Sequence, residues 1–253
     1  MNRLLSWACW VLVGAAPLLC EASGLVRSDN FVVGGPNEEI ARAVLNRAEE
    51  LRREIAIRWL GEELPPSVGP TIIHVQISES EEVNLAWVID DRRRNYHTVW
   101  LKTTEKQATG GALAHELCHA ILATRFPDPI PAWINEGIAC QQDDEGRKTT
   151  RRRIINWYAK TGNWPSLPKL FIQKQLDTLD QASYATAESL VSFLLTRGNR
   201  EKLLSCLIES KKVGWAEALH ITYHINSVDE LETAWRGWVR RELTATPPSS
   251  TQP

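Results

Sequence analysis

The sequence predicts an α+β protein in which a small, mainly antiparallel sheet near the N-terminus is followed by a helical lobe. Three observations carry this. Strand-like alternation recurs in "TIIHVQIS" (71–78), "NLAWVID" (84–90) and "YHTVWLK" (96–102). From Thr109 onward the apolar residues keep helical spacing almost without interruption. No Gly/Pro-rich linker separates the two stretches, so residues 23–244 read as one domain: a sheet lobe of about 30–108, a helical lobe of about 109–244, and a seam between them for an active site. The 253 residues are 43% hydrophobic and 24% charged, which suits a globular chain and argues against general disorder. A formal net charge of -2 and a pI near 6.3 provide no basic face, which sets nucleic acid aside as a partner.

Taken in order, "MNRLLSWACWVLVGAAPLLCEASG" joins Arg3, an apolar run from Leu4 to Cys20, and small residues near Cys20 and Ala22. That is the pattern of a signal peptide over residues 1–22, and it predicts an exported protein, periplasmic or secreted, with no stable membrane span after removal. An uncleaved N-terminal anchor is the alternative, weakened by Gly14 and Pro17 within the run. Beyond the leader stand Cys118, Cys140 and Cys206, an odd number that no disulfide framework absorbs. Cys118 and Cys140 are the pair to test for a bridge, and three small buried apolar residues are the alternative. "NFVVGGPNEE" supplies a strand and turn, and Ile40, Val44, Leu45, Ala48 and Leu51 mark an amphipathic helix from about Pro36 to Leu60.

The charged turn "DRRRN" separates the second and third predicted strands. Helices are predicted over 109–124, 131–144, 147–160, 182–197, 200–211, 214–224 and 227–243, the last opened by a capping box of Ser227 and Glu230. The basic run "RKTTRRR" (147–153) reads as a solvated helix face. Of the eleven tryptophans, Trp59, Trp157, Trp235 and Trp238 fit buried faces. The Pro-rich end of the chain, 245–253, reads as a disordered tail.

The chemistry concentrates in "GGALAHELCHAILATRFPDPIPAWINEGIAC" (110–140). His115 and His119 stand four apart, so on a helix they share a face and one cation can bridge them. Glu116, next to the first histidine, can act as a general base beside the metal without binding it. Leu113, Leu117, Cys118, Ala120 and Ile121 make the helix apolar, and His, Glu and His together in such a helix call for a cation. The alternative is a structural helix whose histidines hydrogen-bond to neighbours. A catalytic zinc site takes three protein ligands, and Glu136, 17 positions beyond His119 across a proline-rich loop, is placed to supply the third. His220 and His224 repeat the spacing of four, but no motif supplies them with an acidic or thiol partner, and they read as core or surface residues.

H-E-x-x-H followed by W-I-N-E-G-I-A resembles the gluzincin metallopeptidases, and in length and order of elements the chain is similar to the small bacterial peptidase-MA-like proteins. The resemblance implies a zincin-like fold and one zinc ion held by His115, His119 and Glu136. It implies Glu116 as the base that activates water, and Trp133, Asn135 and Gly137 as framework around the third ligand. "QASYATAESLVSFLL" resembles the later helix that carries an oxyanion-stabilising tyrosine, which would be Tyr184; a tyrosine capping a helix at the surface is the other reading. "YHTVWL" would be the rim strand along which a peptide or protein substrate pairs, with His97 near it, although an exposed strand histidine is the commoner case.

Two departures stand out. The glycine-rich exopeptidase motif is missing, so endopeptidase action is expected rather than aminopeptidase action. Cys140 stands where thermolysin-like members carry the aspartate that orients a zinc histidine, so the orienting group must come from elsewhere. A non-catalytic, exported zinc-binding scaffold of the same fold is the alternative function.

Overall fold

The computed structural model describes residues 24–66, 69–79, 85–91, 96–126 and 128–245; the expected leader (1–22) and nearly all of the expected tail lie outside them. The chain is α+β, with a five-stranded sheet followed by helices. The strands are β1 (Gly24–Arg27), β2 (Phe31–Gly35), β3 (Thr71–Ile77), β4 (Leu85–Asp91) and β5 (Tyr96–Thr103). The helices are α1 (Glu38–Leu60), α2 (Glu105–Ala108), α3 (Gly111–Arg125), α4 (Ala132–Ala139), α5 (Glu145–Thr161), α6 (Leu167–Phe171), α7 (Gln181–Thr196), α8 (Arg200–Val213), α9 (Trp215–Tyr223) and α10 (Val228–Ala245).

The expectation of a mainly antiparallel sheet is corrected. The strand order is β1-β2-β3-β5-β4; β2–β3 and β3–β5 are parallel, and only β1–β2 and β4–β5 are antiparallel. Parallel neighbours need a long crossover, and α1 provides one between β2 and β3. The β4–β5 hairpin then folds so that β5 enters the sheet and β4 takes the outside. The expected rim strand 96–102 is therefore paired on both sides, Val99 with Ile73 and with Val88, and its backbone is closed to a substrate.

One face of the sheet is the core. Val33, Ile73, Val75, Val99 and Leu101 are buried, and α1 packs on β1, β2 and α3 through Ala41, Val44, Leu45, Ala48, Leu51, Ile55 and Trp59. His97 shares the parity of Val99 and Leu101 and is buried at 8% exposure, so the exposed strand histidine is corrected too. Helix α1 starts where the Asn37 side chain accepts from the Ile40 N–H at 2.8 Å.

The helical lobe is built around α3, which buries Leu113, Leu117, Ile121 and Leu122, each stabilising the fold by about 1.5–3 kcal/mol. Helix α4 packs against α3 and α7, and α5 packs against α7 and α10. The inward face of α5 is Arg151, Ile155 and Tyr158, at helical spacings of four and three. That phase turns Trp157 outward to 51% exposure, against expectation, while Trp59 and Trp235 are buried and Trp238 is partly so. It also turns Arg151 inward, out of the solvated face predicted for residues 147–153.

The capping box at Ser227 forms with a shift. Its hydroxyl accepts from the Glu230 N–H at 3.0 Å, and the Glu230 carboxylate returns to the N–H of Asn226. Among the described residues, no helix is long and apolar enough to cross a membrane.

Candidate functional site

Two close approaches position the site. Helix α3 begins at Gly111, where an added Cβ would fall 2.7 Å from the Asp144 nitrogen, so the chain leaving α4 passes directly over the start of the histidine helix. Gly137, next to Glu136, lets α4 sink onto α7; a Cβ there would lie 2.6 Å from the Ala187 carbonyl oxygen and from Val191 Cγ2. The two glycines close α3, α4 and α7 around three polar side chains that an apolar interior would otherwise reject.

His115 and His119 stand one turn apart on α3, their ring centroids 4.9 Å apart and their planes at 79°. The Glu136 Oε2 atom, reaching back from α4, lies 3.4 Å from His115 Nε2 and 3.5 Å from His119 Nε2. Oε2 is buried and has no hydrogen-bond partner among the described residues. These separations are long for hydrogen bonds. They suit three donors of one small cation, because donors held at about 2.0–2.1 Å around a tetrahedral ion stand about 3.3 Å apart.

The group that orients His115 is Asp143, which sequence reading did not single out. His115 Nδ1 is 3.1 Å from Asp143 Oδ1. An ionised carboxylate only accepts, so Nδ1 donates and Nε2 faces His119 and Glu136. Asp143 lies seven residues beyond Glu136 but not on its helix: α4 ends at Ala139, a 3-10 turn spans Cys140–Gln142, and Asp143 follows in extended backbone, so no helical spacing announces it. Its other oxygen is 2.8 Å from Arg151 Nη2, and Arg151 also pairs with Glu188 on α7. His119 Nδ1 has no partner among the described residues.

The electrostatics follow from crowding. Burial opposes charge on both imidazoles, yet the bond to Asp143 and the negative charge of nearby Glu136 outweigh it and hold His115 up at about 10. His119 is raised as well, burial again being outweighed by Glu136. Burial pushes Glu116 above the usual carboxylate range against the pull of both histidines, whereas Glu136 is held well below that range because the histidines overcome its burial. Two carboxylates, Asp143 and Glu188, pair with the deeply buried Arg151, and Arg147 also approaches Asp143 at 3.6 Å, whereas Glu116 and Glu136 face the two histidines, where a dication could take the place of the imidazole protons.

A cleft of about 1030 Å³ opens over these groups, lined by His115, Glu116, His119, Asn135, Glu136 and Tyr184 among others. Tyr184 is not a cap: the N-cap of α7 is Asp180, whose carboxylate accepts from the Ser183 N–H at 3.1 Å. Burial, with the charge of Glu136 added, pushes the Tyr184 hydroxyl well above its ordinary range, so it stays a proton donor.

Cys118 and Cys140 are free, buried thiols, and the disulfide put forward for testing is not formed. Cys140 could join His115 and Asp143 as a second donor group. However, burial keeps its thiol protonated, and His115 Nδ1 is already engaged by Asp143. His220 and His224 are exposed and join no group of three metal donors among the described residues: His220 bonds to Asn226, and His224 follows α9 with φ 57. In comparisons with known proteins, no family model matches the chain and no curated protein sequence matches it.

Proposed function

We propose that the protein is a zincin-like, zinc-dependent peptidase of the gluzincin type, exported through its N-terminal leader and hydrolysing internal bonds of peptide or protein substrates. The observation that carries this reading is the orphaned Glu136 Oε2 between the Nε2 atoms of His115 and His119, with Glu116 one residue from the first histidine and opening on the same cleft. His115, His119 and Glu136 would hold one zinc ion, which when bound supplies Lewis acidity toward a carbonyl and toward water.

The rest is the work of the chain's own groups. Glu116, its proton affinity raised by burial, takes a proton from water as the water oxygen bonds to the carbonyl carbon, and returns it to the amine as the C–N bond breaks. The Tyr184 hydroxyl donates to the oxygen that gains charge. Asp143 fixes which nitrogen of His115 carries the proton. An extended substrate would pair with β4, the outer strand beside β5, against which α3 also packs.

Glu116→Gln tests the reading. Zinc content should match that of the parent chain, and cleavage of a peptide library should be lost. Turnover equal to the parent's would refute the role of Glu116. Zinc retained with no cleavage by either chain would favour the non-catalytic zinc-binding scaffold.

A further inference from the structure

The zinc reading leaves one deeply buried cation unexplained. Arg151 is 5% exposed, and a buried ion network is a poor source of stability, since apolar residues in place of all its partners together often serve as well. Its contacts are specific. Nη2 is 2.8 Å from Asp143 Oδ2 and donates to the Cys140 carbonyl oxygen at 3.4 Å, while Nε pairs with Glu188. Asp143 turns Oδ1 to His115, with the half-exposed Arg147 Nη1 3.6 Å from the same oxygen, and Oδ2 to Arg151 in an ion pair that lacks hydrogen-bond geometry. The chain of contacts runs His115, Asp143, Arg151, Glu188 and crosses from α3 through the segment after α4 to α5 and α7. Glu188 stands one turn beyond Tyr184 on α7.

Resting on the zinc reading, we propose that Arg151 is a positioning residue of the metal centre: its planar fork holds Asp143 and Glu188 at once, fixing the tilt of His115 and docking the Tyr184 helix against the ligand helices. A lysine at this place keeps the charge but offers one nitrogen, and one nitrogen does not reproduce a fork that engages two carboxylates from different helices. Without the fork, Asp143 turns away from His115 Nδ1 and the imidazole loses its orientation. Outer-shell partners of metal histidines typically change affinity by about 10–100-fold.

The experiment is a double-mutant cycle on the purified full chain, with zinc affinity read by competition against a chromophoric chelator and the visible spectrum of the cobalt-loaded chain as a second readout. Arg151→Lys and Asp143→Asn should each weaken zinc binding by about 10–100-fold. Because Arg151 acts through Asp143, the double variant should bind no worse than Asp143→Asn alone, and the cobalt spectrum should shift in the same way in all three. A merely structural role would leave zinc affinity and the cobalt spectrum unmoved while lowering the melting temperature.

Undiminished affinity in Arg151→Lys, or losses that add in the double variant, would overturn the proposal and leave the zinc reading standing. No zinc uptake by the parent chain would overturn both. If Arg151→Lys reduces the folded fraction, Glu188→Gln is measured instead, since it loosens only the second anchor of the fork. Weaker zinc binding in that variant supports the proposal, and unchanged binding overturns it.

Discussion

Two ion pairs of the same length lie in opposite surroundings. Arg53 and Glu63, beside the end of α1, approach to 2.8 Å with 69% and 57% of their side chains exposed. Arg151 and Asp143, beneath the cleft, also approach to 2.8 Å, with 6% and 1% exposed. The exposed pair is dispensable because water solvates either partner alone. The buried pair is not, because removing either partner leaves the other's charge short of a counter-charge in a low-dielectric interior. Distance alone therefore says nothing of importance, and burial separates a solubility feature from a constraint on the site.

The sharpest way to break this contrast is Arg151→Met. It should destabilise the chain by about 3–5 kcal/mol, read as a fall in the denaturant midpoint, because Asp143 and Glu188 lose their common cation. Next comes the helix start that frames α1: Asn37→Ala should cost about 1 kcal/mol in the same assay, since the Ile40 N–H loses its acceptor. The smallest effect belongs to the exposed pair, where Arg53→Met should change stability by no more than about 0.5 kcal/mol. A loss at Arg53 as large as that at Arg151 would show that burial is not what distinguishes the two.

The same contrast explains what could be read from the sequence. His115, His119 and Glu136 were legible because a spacing of four on an apolar helix fixes a shared face, and a glutamate beyond a proline-rich loop is aimed back at it. The helical lobe was legible for the same reason, with α5 observed at Glu145–Thr161 against an expected 147–160. Asp143 and Arg151 were hidden because their partners lie on other elements, and a run with five of its seven residues arginine or lysine looks solvated until the helix phase is known.

The sheet order was hidden for a related reason: nothing within β3, β4 or β5 says that β5 pairs with β3 and pushes β4 to the edge. Local spacing fixes faces. Which faces meet is decided by packing over long separations in the chain.

The central claim is that Glu136 Oε2 and the two Nε2 atoms are the donors of one zinc ion. Elemental analysis of the purified chain beside His115→Ala tests it most directly. About one zinc per chain, lost in the variant, is the result expected of a site with three protein ligands. No metal in either chain after zinc is supplied, or equal zinc in both, would contradict it.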